Sequence, residues 1–235
     1  MHIPKNEIKV IQKDLDNIGI CETQLPKDII NDFWDLIEDA KKSPKDMRDE
    51  LAGNITSSLV LNVKSPQLKD FASDVLSSLI NTYLKVYKLP WRTNFKGKFK
   101  WNLSNIWVNF QRQHEFNPIH DHDGIFSFVI WMKIPTSYEE QRELPFVKAS
   151  NSDGAVSNFG FIYHDILGDL STYYYPMEKD IEGYLVFFPS RLKHLVNPFY
   201  NCDDERITIS GNIDLVWVIK NQRDIMIGYY GNLER

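Results

Sequence analysis

Two segments in the first hundred residues carry apolar side chains at helical spacing, residues 26–42 and 65–87. In both segments the apolar positions recur three or four residues apart, which is typical of a helix with one buried face. Pro26 stands near the start of the first segment, a position that suits a helix start. The pattern therefore predicts two amphipathic helices, and the stretch between them ends in the strand-like run SSLVLNV.

The pattern changes near Lys98, where short apolar runs separated by Gly, Asn, Asp and Pro replace the helical spacing. Many short strands with turn signals between them favour a sandwich, a barrel or a jelly roll. We expect one domain over 1–235, with a helical N-terminal part over 1–97 packed on one side of a β core over 98–220. The five predicted strands are FKWNLSNIWVNFQRQ, FSFVIWMKIP, NFGFIYHDI, GYLVFFPS and RITISGNIDLVWVI.

The composition of the chain argues against several functional classes. Hydrophobic residues make up 43% of the chain and aromatic residues 13%, which is enough for a sizeable β-rich core. The net charge of −5 and the lack of a dense Lys/Arg block argue against a general nucleic-acid surface. The two cysteines form no CxxC pattern, and no stretch resembles a signal peptide or a membrane span. We expect a cytoplasmic protein that binds neither membranes nor, as a rule, nucleic acid.

Residues 117–124 read NPIHDHDG and place two histidines two positions apart, ahead of an apolar run. Side chains two apart on a strand point to the same face, so His120 and His122 could ligate one ion. Imidazole suits several transition metals, and the pair does not name the metal. The alternative is two surface histidines in a loop that also contains Asp121 and Asp123.

A third candidate ligand, His194, follows the apolar run GYLVFFPS and a turn. Twelve residues later Arg206 opens a strand on which Thr208 and Ser210 share its face. An arginine that points into a β-rich core needs an anion, and its planar fork matches a carboxylate. That anion is either a bound ligand or a neighbouring acid from 203–205.

The motifs HxH before SFVIWMKIP, GYLVFFPSRLKHLVNPFY and DDERITISGNI resemble those of the 2-oxoglutarate- and Fe(II)-dependent oxygenases common in marine phages and bacteria. The resemblance covers roughly residues 100–215, with a weaker match in LAGNI at 51–55. It implies a double-stranded β-helix, which is a jelly roll that holds iron at its mouth. If the gene is carried by a phage, the protein acts in the host cytoplasm.

The resemblance assigns roles to individual residues. His120 and His194 are the first and the distal iron ligands, and Arg206 anchors the far carboxylate of 2-oxoglutarate with Thr208 or Ser210 as helper. His122 stands where the superfamily has a carboxylate.

Three explanations of this departure stay open. His122 is itself the second ligand, which we favour; Asp121 or Asp123 bends in from the loop; or His122 contacts a ligand residue or the substrate instead of the ion, and water or an exogenous anion takes the ligand position.

The expected activity is that of a 2-oxoglutarate- and Fe(II)-dependent dioxygenase. The enzyme takes up O₂ and 2-oxoglutarate, releases succinate and CO₂, and hydroxylates a further substrate that the sequence does not identify. Two other interpretations compete with this one. A cupin-like metalloenzyme without 2-oxoglutarate also uses three histidines, and a non-catalytic jelly-roll module of a virion could carry a structural metal site.

Overall fold

The fold is taken from a computed structural model that describes residues 17–87, 99–149, 155–217 and 225–227. The two predicted helices form close to where the apolar spacing places them. The first, α1, spans Lys27–Lys42, and the second combines α2 (Leu68–Asp70), a π-helical segment (Phe71–Leu76) and α3 (Ser77–Val86). Two further short helices are α4 (Tyr138–Arg142) and α5 (Pro145–Lys148).

The larger of two antiparallel sheets contains the three longest strands in the described residues. Its strand order is β1-β8-β5-β10-β3-β2, and β11 pairs with the end of β10. The strands are β1 (Cys21–Gln24), β2 (Ser57–Val60), β3 (Phe99–Gln111), β5 (Phe126–Lys133), β8 (Tyr184–Pro189), β10 (Arg206–Trp217) and β11 (Ile225–Ile227).

The smaller sheet has four strands in the order β4-β9-β6-β7 and contributes the histidine-bearing elements. These strands are β4 (Asn117–His120), β6 (Asn158–His164), β7 (Leu170–Pro176) and β9 (Lys193–Val196). None of the five strands predicted from the apolar runs corresponds to β4, β7 or β9. Both β4 and β9 are only four residues long, too short for an alternating pattern to stand out.

The central strands of the large sheet are buried on both faces, which explains their continuous apolar runs. On β5, Phe128 and Ile130 pack with the N-terminal helices, whereas Val129 and Trp131 pack between the two sheets. On β10 the face toward the N-terminal helices is likewise apolar, but the face toward the small sheet is polar. The polar side chains of β10 therefore lie inside the molecule, between the sheets.

The prediction of a mainly β jelly roll with N-terminal helices on one side is confirmed by this arrangement. Among the residues that the structure describes, no helix has the length and apolar character needed to cross a membrane.

Candidate metal and co-substrate site

His120 and His194 face each other across a pair of short strands. His120 ends β4 and lies opposite His194 in the antiparallel register with β9, and the register shifts between Asn117 and His120. Their ring centroids are 4.2 Å apart. The pairing of β4 with β9 therefore brings the first and the last predicted ligand together, although they are far apart in the chain.

His122 reaches the same point from a loop rather than from a strand. His120 and His122 do converge, but the predicted reason is wrong. Because β4 ends at His120, the two residues do not alternate on one strand. His122 is held by its backbone N–H, which donates to the Ser190 carbonyl at 2.9 Å. Gly124, with φ of 87°, then turns the chain into β5.

The ring nitrogens are arranged as ligands of one ion would be. The Nδ1 atoms of His120 and His194 face the carbonyls of Pro118 and Leu192 at 2.7 and 2.9 Å. A carbonyl oxygen only accepts, so each Nδ1 carries the proton and each Nε2 keeps its lone pair for the site.

The Nε2 atoms of His194 and His122 lie 3.1 Å apart, and the ligand atoms of all three histidines lie within 4.8 Å of one another. Two nitrogens at right angles about one ion, each about 2.1 Å from it, are about 3.0 Å apart. The three imidazoles therefore fit a metal ion.

Burial keeps the imidazoles neutral, which is the form that binds metal. It lowers the pKa of His122 to about 3 and the pKa of His194 well below its ordinary value, and the neighbouring histidines lower both further. Burial also lowers the pKa of His120, against a smaller opposing effect of the Pro118 carbonyl.

These shifts predict that acid destabilises the metal-free protein. An unfolded histidine binds a proton near pH 6.5, whereas folded His122 does so only near pH 3. The unfolding free energy should therefore fall as pH drops from about 6.5 toward 3, by up to about 1.4 kcal/mol per pH unit for each such histidine. Urea unfolding at pH 7 and pH 5 measures the slope. The His122→Asn variant should show a smaller slope.

Arg206 is the second unusual feature, because no carboxylate among the described residues pairs with its buried charge. The residue is 1% exposed, and its guanidinium stacks 4.9 Å from the Phe199 ring. Its Nη1 donates to Gln111 Oε1 and to the Asn197 carbonyl, both at 3.3 Å, and its Nη2 donates to Ser157 Oγ at 2.8 Å. Burial lowers the Arg206 pKa to about 9, so the group stays charged at neutral pH.

The acids near Arg206 in sequence bond to other side chains. Glu205 pairs with Arg112 and Asp204 with Lys133, both at 3.3 Å. Within the described residues no ion pair involves Arg206, so a neighbouring acid does not supply its anion.

Two of the five N–H donors of Arg206 remain after its three hydrogen bonds, one on Nε and one on Nη2. Nε is buried and has no hydrogen-bond partner in the described structure. A buried charge with two free donors fits the two oxygens of a carboxylate. The observation supports a bound dicarboxylate such as 2-oxoglutarate.

The histidines and Arg206 line one cavity of about 160 Å³, many times the roughly 15 Å³ that one water needs. Thr208 and Ser210 line it as well, so all six predicted site residues border the same space. Across the sheet, Gln111 is in register with Arg206. The apolar part of the lining comes from Trp107, Val129, Trp131, Phe159, Met177 and Phe188, among others.

Sequence reasoning missed two polar residues, one that lines this cavity and one that lies behind Arg206. Ser157, which contacts Arg206, comes from a distant loop, and no motif marks it. Asn117 lines the cavity, and its Oδ1 is buried without a hydrogen-bond partner in the described part of the chain. That oxygen occupies the space where a side chain at Gly53 would begin, so glycine there makes room for it.

The comparison with protein families agrees with this geometry. The family described as "Putative 2OG-Fe(II) oxygenase" matches residues 105–212, which include all six predicted site residues. This segment belongs to the 2OG-Fe(II) oxygenase family. The protein is therefore an oxygenase that uses Fe(II) and 2-oxoglutarate, with O₂ as co-substrate, as the sequence predicted.

Similar solved structures include prolyl hydroxylases. A prolyl-4-hydroxylase from Pseudomonas putida is 12% identical with a TM-score of 0.49, over 84% of this chain and 92% of that one. A viral collagen prolyl hydroxylase from Paramecium bursaria Chlorella virus-1, in complex with 2-oxoglutarate, is 13% identical with a TM-score of 0.48, over 83% and 94%. No curated protein sequence matches the chain.

Proposed function

We propose that this oxygenase is a hydroxylase in which His120, His122 and His194 hold Fe(II) and Arg206 anchors 2-oxoglutarate. The observation that carries the proposal is the shared cavity, because it has three neutral imidazoles and, in the same space, a buried cation that no acid in the described part of the chain pairs with. When bound, the iron and 2-oxoglutarate supply the oxidative decarboxylation that yields succinate and CO₂ and activates O₂. The substrate receives a hydroxyl group.

The side chains of this protein hold the iron and the co-substrate in place and exclude water from the site. Arg206 offers two free N–H groups to the far carboxylate of 2-oxoglutarate, and the Thr208 or Ser210 hydroxyl adds a further hydrogen bond. The Nδ1–H groups of His120 and His194 donate to backbone carbonyls, which fixes both rings with Nε2 toward the ion. Buried Trp131 and Phe188 exclude water from the reacting atoms.

The test is anaerobic titration of the metal-free protein with Fe(II) and then 2-oxoglutarate, followed by exposure to O₂. We expect a metal-to-ligand charge-transfer absorption that appears only when both are present, and then succinate formation that depends on O₂. Absence of both signals from protein reconstituted with iron would refute the proposal.

The second metal ligand is tested separately, since Asp121 and Asp123 flank His122. Asp121 accepts a hydrogen bond from Lys193 at 2.8 Å and lies 3.6 Å from Arg191, so its carboxylate is already engaged. We expect His122→Ala to weaken Fe(II) binding by about 100-fold. Asp121→Asn and Asp123→Asn should each change it by less than about threefold. Anaerobic calorimetry measures the three affinities, and a larger loss in either aspartate variant would make that carboxylate the ligand.

A further inference from the structure

The Arg206 guanidinium is fixed by neutral acceptors that are themselves held in place. Gln111 Oε1 accepts from Arg206, and Gln111 Nε2 donates to the Glu115 carbonyl at 2.6 Å. Ser157 is fully buried, and its Oγ makes the shortest of the three hydrogen bonds to Arg206, at 2.8 Å. The hydroxyl adds no charge, so it holds the cation in place and leaves it free to bind an anion.

The backbone at Ser157 adopts a conformation that side chains rarely take. Its φ of 42° lies in the left-handed region, where glycine is favoured. Two hydrogen bonds impose it, because the Ser157 N–H donates to the Pro198 carbonyl at 2.8 Å and its carbonyl accepts from Met177 at 3.1 Å. An unusual backbone conformation that hydrogen bonds hold in place, at a residue whose side chain contacts Arg206, is typical of a functional position.

We propose that Ser157 is a positioning residue that sets where Arg206 holds the co-substrate and so makes the site select 2-oxo dicarboxylic acids by chain length. The inference rests on the proposed function. A 2-oxo acid reaches the metal at one end and Arg206 at the other, so the place of the guanidinium decides which length spans both. Without the Ser157 hydroxyl, Nη2 loses its acceptor and the guanidinium can shift.

The Ser157→Gly variant separates positioning from a structural role. Glycine adopts this φ without strain, and this gain offsets the stability lost with the buried Oγ hydrogen bond, so the variant should melt close to the wild type. We nevertheless expect the Kd of the Fe(II)-loaded protein for 2-oxoglutarate, measured by anaerobic calorimetry, to rise about tenfold. In turnover, KM for 2-oxoglutarate should rise with little change in kcat. The preference for 2-oxoglutarate over the six-carbon 2-oxoadipate should fall.

The matched control is Ser127→Ala. Ser127 is also a buried serine with a side-chain hydrogen bond, but it donates to Asn212 Oδ1 at 2.9 Å, whereas Ser157 accepts from Arg206. We expect the control to lower the melting temperature and to leave the Kd unchanged. Ser157→Ala serves as a second variant, with the same loss of affinity expected.

The outcomes are distinct. If the wild type with Fe(II) fails to bind 2-oxoglutarate, the proposed function itself is wrong. If the wild type binds it and both Ser157 variants bind it equally well, the positioning role is overturned. An equal loss of affinity for 2-oxoglutarate and 2-oxoadipate would overturn selection by length.

Discussion

The His194→Ala variant should bind Fe(II) at least about 100-fold more weakly than the wild type and should form no succinate. His194 is 3% exposed, and its Nε2 faces His122 Nε2 at 3.1 Å. Its orientation is fixed by the hydrogen bond from Nδ1 to the Leu192 carbonyl. Removal of this ring leaves two imidazoles, one of which lies in a loop.

The measurement is anaerobic calorimetry with Fe(II), accompanied by the charge-transfer absorption in the presence of 2-oxoglutarate. His164→Ala is the control, since His164 is exposed, lies outside the cavity lining and has its Nδ1 3.1 Å from the nearby Gly168 carbonyl. The control should bind Fe(II) as the wild type does. Undiminished affinity in His194→Ala would exclude this histidine as a ligand.

The Arg206→Leu variant should lose 2-oxoglutarate binding by about 100-fold or more, because a buried carboxylate without its charged partner is strongly disfavoured. Fe(II) binding in the absence of 2-oxoglutarate should stay within about threefold of the wild type, since no ring nitrogen changes. This separation of the two affinities is the specific result expected of a co-substrate anchor.

The stability of the same variant provides an independent check. Leucine in place of an unpaired buried cation removes a desolvation cost, although Gln111 and Ser157 lose a donor. We expect the unfolding free energy to change by less than about 2 kcal/mol. Arg112→Leu, at an exposed arginine that pairs with Glu205, is the control and should leave 2-oxoglutarate affinity unchanged. Equal affinity in Arg206→Leu would contradict the anchor role.

The elements that the sequence predicted well are those with a long repeating pattern. Residues 26–42 and 65–87 gave two helices within one to three residues of their observed limits, and the five apolar runs gave strands β3, β5, β6, β8 and β10. These patterns arise because each element buries one or both faces. The strands β4 and β9 have four residues each, and their pairing is decided by contacts across the molecule.

The same distinction applies to the site. Arg206, Thr208 and Ser210 were grouped correctly on one face because strand alternation is a local rule. His122 was placed on a strand and instead lies in the loop after β4. Ser157 could not be found at all, since its position depends on hydrogen bonds to Pro198 and Met177, far away in the chain.

Because β4 lies at the edge of the small sheet, the stability of that edge depends on whether iron is bound. The strand is four residues long, pairs with β9 on one side and ends in His120. An ion shared with His194 would tie this edge to its neighbour more firmly than backbone pairing alone. Loss of the ion would remove this link and leave β4 held by its backbone pairing with β9, at a sheet edge of the kind through which proteins aggregate.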